Sequence, residues 1–188
     1  MVDIIKASKR LIYQRTLKNN APTWALTELA VNKGKKLAKK YRVNRKLVIA
    51  SLYLAHTIFD EKRKSKIQKT HELLSARFAK KHLDKWKVLA KNQEIILNAI
   101  KAHHGKVPTT SLTAEVVKNA ECFKFLTLEG CLMFLHDLGR RHMPLDQAVD
   151  YVIDKMNQKT NLLTLKDCKR EAARNRRKIL EIFKELLK

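Results

Sequence analysis

Imidazole and carboxylate groups recur at points where the chain is otherwise apolar. His56 and Asp60 stand four residues apart, His71 follows, His103 and His104 are adjacent, and Asp137 sits beside His136. These donors suit first-row divalent ions, and such an ion lowers the pKa of a bound water and neutralises a phosphoryl oxygen. Phosphoester hydrolysis is the chemistry they point to. Residues i and i+4 share a helix face, whereas neighbours point about 100° apart, so only one of His103 and His104 can serve a given site. Each group also has an ordinary structural reading. His56 can be a core histidine, the His103–His104 pair can complement a helix C-terminus, and a buried Asp137 needs a partner, which Arg140, Arg141 or a metal can supply.

The elements that must carry these residues read as helices. Only four Gly and three Pro occur, a composition that leaves few of the turns a β-sandwich requires. Ile4, Ile5, Leu11, Ile12 and Leu17 predict a first helix over 3–18, and Thr23 is placed to cap a second that runs to about Tyr41. A third, from near Asn44, is apolar almost all round from Leu47 to Phe59 and is expected at the centre. Beyond the charged connection 60–69, helices are expected from about Thr70 to Leu83 and from about Asn92 to His104, the latter stopped by Gly105 and Pro108. Ser111–Ala120, Leu128–Gly139, Asp146–Asn157 and Leu165–Leu187 complete the pattern. The Leu128–Gly139 helix, being largely apolar, is expected to be buried. The fold class is therefore all-α, about eight or nine helices, and no break in composition divides residues 1–188, so one domain is expected.

Charge narrows the partners. There are 41 Lys and Arg against 18 Asp and Glu, a formal net charge of +23, which points to a polyanion such as RNA, DNA or a nucleotide, with an acidic protein as a further possibility. Asn32 to Lys46 carries basic residues without an acid, and Lys33, Lys36 and Lys40 fall within about one helix face that can track nucleic-acid phosphates. A second cluster, Lys62, Arg63, Lys64, Lys66 and Lys69, lies between His56 and His71 and is a candidate phosphate site. A third, 166–178, interleaves acids and reads as a solvated face with local ion pairs. Trp24, Tyr41 and Trp86 can stack bases, but core packing is the better account of most rings. Three cysteines without CxxC spacing point to a reducing interior. No apolar run is long enough to cross a bilayer and none resembles a signal peptide, so a cytoplasmic location is expected.

The order of these segments resembles the HD-domain superfamily of metal-dependent phosphohydrolases. "LVIASLYLAHT" is similar to the helix that ends in the family's His-Asp pair, "KTHELLSARFAKKHL" to the next His helix, "IILNAIKAHHG" to the His-His helix, and "LTLEGCLMFLHDL" to the segment with the last Asp. The resemblance covers roughly residues 20–187 and implies a divalent ion (Mn, Fe, Mg, Ni or Zn) held by His56, His71, His104 and Asp137. The chain departs from the pattern twice. "WALTELA" offers Leu26 and Thr27 where the first His is expected, and Thr57 replaces the Asp of the pair. A neutral hydroxyl lacks a carboxylate's charge, so either Asp60, His103 or His136 substitutes or the ancestral chemistry is gone. The expected function is that of a degenerate phosphohydrolase acting on or binding a nucleotide or nucleic-acid phosphoester. The alternative is a non-catalytic basic module that binds RNA or DNA through the backbone.

Overall fold

The computed structural model describes residues 2–19, 21–58 and 65–187, with the helical backbone alone for Asn19 and residues 65–69. These residues form nine helices: α1 (Ile4–Asn19), α2 (Trp24–Lys40), α3 (Arg45–Leu54), α4 (Ser65–Lys85), α5 (Ala90–Ala102), α6 (Leu112–Phe123), α7 (Leu128–Gly139), α8 (Leu145–Asn161) and α9 (Lys166–Leu186). Among the described residues every element is a helix, so the fold is all-α, as expected. Asp60, Lys62, Arg63 and Lys64 lie outside the described residues, as do the side chains of Lys66 and Lys69.

α3 is the central element, as its composition requires. Asn44 caps it, its side chain accepting from the backbone N–H groups of Lys46 at 3.0 Å and Leu47 at 3.4 Å. Every residue from Leu47 to Leu54 is buried, and opposite faces of the helix feed two apolar clusters. Val48, Ile49, Leu52 and Tyr53 join the cluster built with α2, α6, α8 and α9. Leu47, Ala50 and Leu54 join the one built with α4 and α5. Full burial of one such aliphatic side chain contributes about 1.5–3 kcal/mol. Gly34 lets α2 approach α3 closely, because a Cβ there would meet the Leu52 and Val48 side chains.

Two expectations fail at the level of elements. α4 begins at Ser65 rather than near Thr70, so the charged connection is partly helical. α7 is only half covered: Gly130, Cys131, Asp137 and Leu138 are buried, whereas Leu132 is 45% exposed. An apolar composition identifies a helix that can be buried, but the number of neighbours decides how much of it is. Thr23 occupies the position before α2 without a side-chain capping bond.

Candidate functional site

Four helix ends and one helix interior meet at the histidines. His56 lies in the turn that follows α3, and the hydroxyl of the adjacent Thr57 is turned back on the chain, donating to the Leu54 carbonyl at 3.1 Å. Thr57 therefore closes a turn and offers nothing to the site. His71 comes from α4, and His103 and His104 close α5, where Gly105 takes the left-handed conformation at φ 77° that ends the helix. α6 contributes Glu121, with Lys124 just past its end, and α8 contributes Lys159. Asn119 ties α6 to the connection that follows α8. Its fully buried amide donates to Thr164 Oγ1 at 2.8 Å and to the Glu115 carbonyl at 2.9 Å, and its oxygen accepts from the backbone N–H groups of Thr164 and Leu165, each at 3.1 Å.

The rings of His56, His71 and His103 bring ligand atoms within 4.8 Å of one another. His56 and His71 stack with centroids 5.3 Å apart, and His103 meets both edge-on at 4.9 and 5.4 Å. His104 packs against both His103 and His71, with centroids 4.2 and 4.7 Å away and its Nε2 3.0 Å from His71 Nε2, so both adjacent histidines reach the cluster, contrary to the expectation that only one can. Of the expected set His56, His71, His104 and Asp137, the structure thus gathers the first three around one cavity and adds His103, while Asp137 stands in the wall of the same cavity in an ion pair with Arg141 at 2.6 Å. His136 is exposed.

Among the described residues two carboxylates approach the cluster, Glu121 at His56 and Glu72 at His71. His56 Nε2 and Glu121 Oε1 are hydrogen-bonded, Lys124 Nζ is bonded to the same oxygen, and Lys124 Nζ lies 3.4 Å from His56 Nε2. Glu121 and Lys124 were missed in the sequence because an i, i+3 pair of opposite charge usually marks a solvated helix face. The available signal was their position beside Val117 and Ala120, on the face that α6 buries.

Electrostatics separate the histidines from the lysines. Burial pushes the pKa of His56 down, with Glu121 opposing and Lys124 assisting. Burial also holds His103 well below its usual value, and His104 is lowered by burial and then by His103 and Lys159. All three are neutral at neutral pH. Burial alone would raise Glu121, but Lys124 and His56 outweigh it and keep the carboxyl well below its usual range, so it is ionised. Burial brings Lys159 down to about 8. A lysine ammonium can only donate, and Lys159 Nζ lies 3.0 Å from His104 Nδ1. That assigns the His104 proton to Nε2, which donates to His71 Nε2 and leaves the His71 proton on Nδ1, 3.5 Å from Glu72 Oε2. One hydrogen-bonded chain therefore runs from Lys159 through two imidazoles towards Glu72, which also accepts from Lys106 at 3.1 Å.

The cavity holds about 300 Å³. Leu26, at the position where the resemblance calls for a histidine, is part of its apolar wall with Pro22, and Phe125, Phe134 and Tyr151 provide ring faces. Among the described residues Lys124, Lys155, Lys159 and Arg141 line it against Glu121 and Asp137, so these groups together carry an excess of positive charge.

A resident ion can be tested against these groups. Three imidazoles at this spacing suit a borderline transition ion better than Mg²⁺. The 3.0 Å between His71 Nε2 and His104 Nε2 is also the separation of two nitrogens at right angles around an ion about 2.1 Å from each. His103 Nε2 is buried without a hydrogen-bond partner among the described residues. By donor type and spacing the cluster fits such an ion, although the adjacent carboxylate is already engaged by an ammonium.

The basic stripe on α2 is largely neutralised from within. Lys33 pairs with Glu171 at 2.7 Å and lies over the Phe123 ring, and Lys40 pairs with Asp167 at 2.6 Å, leaving Lys36 exposed between them. Trp24 is also occupied in packing, stacked on Tyr53 at 6.1 Å with Tyr13 edge-on at 4.9 Å. Tyr41 donates to Asp167 at 2.9 Å.

No protein-family model matches the chain, and no curated protein matches it in sequence. Solved structures that share its fold include the following two. Bacillus subtilis YpgQ, in complex with ADP, superposes with a TM-score of 0.72 at 13% identity, over 98% of this chain and 95% of that one. A Lactobacillus plantarum protein does so with a TM-score of 0.70 at 16% identity, over 99% and 96% respectively. At these identities the likeness is one of fold. Among the described residues no helix is long and apolar enough to cross a membrane.

Proposed function

We propose that this chain is a degenerate HD-type protein that binds a nucleotide phosphoester in the histidine–lysine cavity. The observation that carries the reading is the charge of that cavity: two buried lysines, Lys124 and Lys159, with Lys155 and Arg141 at their side, face two carboxylates that already have partners. Buried cations need counter-charge, and a phosphate group supplies it. Lys159 and Lys155 are placed to hold non-bridging oxygens, and the rings of Phe125, Phe134 and Tyr151 offer faces for a base. The ADP complex of the structurally similar YpgQ supports a nucleotide in a fold of this kind.

The three-histidine cluster raises a second form of the reading, in which the bound phosphoester is also hydrolysed; this form requires Lys124 to give up Glu121. His56, His71 and His103 would hold a divalent ion, which supplies an acidified water and charge neutralisation at phosphorus. The chain's own groups would then position the phosphate through the lysines, and His71 Nε2 would exchange its bond from His104 for the ion.

Thermal melts with ADP, adenosine and inorganic phosphate test the first form. ADP and phosphate should raise the melting temperature and adenosine alone should not; three flat responses would remove the reading. Phosphate release from ADP and from bis-p-nitrophenyl phosphate with added manganese tests the second.

A further inference from the structure

The carboxylate beside the histidines has a cation of its own. Lys124 is 6% exposed, its Nζ is bonded to Glu121 Oε1, and it stands 3.4 Å from His56 Nε2. An ion bound by His56 and its neighbours would lie about 2.0–2.2 Å from each nitrogen, and hence within a few ångströms of that ammonium. Ammonium and dication repel, and at this depth water screens them poorly. Both also need the same negative group, because Glu121 is the carboxylate bonded to the cluster. Among the described residues the other carboxylate at the cluster, Glu72 beside His71, is likewise engaged by a lysine, Lys106, so the nitrogen donors have no carboxylate beside them that is clear of a cation.

We propose that Lys124 is a built-in cation that occupies the place of a divalent ion at Glu121. It keeps the carboxylate ionised and the site's charge balanced, and it makes the native protein a poor binder of divalent transition ions at its own histidine cluster. The phosphate then meets a lysine where related chemistry would use a metal. The Lys124 stem runs past the Phe125 ring, with Nζ 5.2 Å from its centroid, so the ammonium is held in position and its replacement by an ion requires removal of the side chain's charge.

Cobalt titration without any nucleotide tests this, so its failure and that of the phosphoester reading are distinguishable. Native protein, Lys124→Met and the double variant Lys124→Met/Glu121→Gln are titrated with Co²⁺ at pH 7, read by calorimetry and by the visible absorption of nitrogen-ligated cobalt. Lys124→Met should bind at least about tenfold more tightly than native protein, as expected for relief of a close charge pair, and the double variant should lose that gain. Lys124→Met leaves a buried carboxylate without its cation and will melt at a lower temperature; the proposal requires that excess Zn²⁺ restore the melt while leaving native protein unchanged. Equal cobalt affinity in native protein and Lys124→Met, or a Lys124→Met chain that zinc does not rescue, would overturn it.

Discussion

At the scale of single residues, the site divides into neutral imidazoles and charged amines, and this division sets its pH dependence. Burial keeps His56, His103 and His104 unprotonated at neutral pH, so these histidines should add no cationic attraction for ADP at pH 7.5. Lys159, lowered to about 8, loses its charge above that value, and ADP affinity should fall by roughly tenfold between pH 7.5 and 9.5. Calorimetric titration across this range checks both statements. Stability follows the same group with a definite sign. The folded pKa of Lys159 lies below its ordinary 10.5, so the unfolded chain binds the extra proton between about 8 and 10.5, and the burial penalty is complete below 8 and relieved as pH rises. Lys159→Met should therefore stabilise the protein at pH 7, by at most about 3 kcal/mol, and the gain should shrink through pH 8 towards 10.5 in urea melts. Thr57 and Leu26 illustrate what residue identity alone conveys. The loss of two donors is plain in the sequence, but only the fold shows that the Thr57 hydroxyl is spent on the Leu54 carbonyl and that Leu26 lies in the cavity wall.

At the scale of elements, two positions govern how the site is held. Gly34 sets the approach of α2 to α3, and Gly34→Val places a branched side chain against Leu52 and Val48; it should destabilise by about 1–3 kcal/mol. Asn119 joins α6 to the connection before α9, and Asn119→Ala strands the backbone N–H groups of Thr164 and Leu165, at a cost of about 1–3 kcal/mol for each unsatisfied group. Urea denaturation measures both, and because Asn119 ties the helix that carries Glu121 to the connection that follows the helix carrying Lys159, its variant should also weaken ADP binding. Most helices were legible because their periodicity is strong and their ends carry Pro, Gly or Asn: the expected ends at Lys18 and Gly139 lie within one residue of the ends of α1 and α7. The exposed half of α7 was not legible, since composition does not reveal which helices pack against it. Nor were Glu121 and Lys124, since a helical i, i+3 ion pair reads alike whether it faces solvent or lies in the interior.

At the scale of the whole molecule, the net charge is +23, and part of the basic charge is already committed within the fold. Lys33 and Lys40 are bound by Glu171 and Asp167, whereas the cavity concentrates Lys124, Lys155, Lys159 and Arg141 in one place. Binding there should stabilise the fold: ADP at 100 times its dissociation constant should add about 2.7 kcal/mol, with a gain that declines as ionic strength rises. The most direct test is isothermal titration of ADP into native protein and Lys159→Met at pH 7 and low ionic strength. The account predicts saturable one-to-one binding to native protein, weakened at least about tenfold by the substitution. Equal binding by both proteins, or none by either, would contradict it.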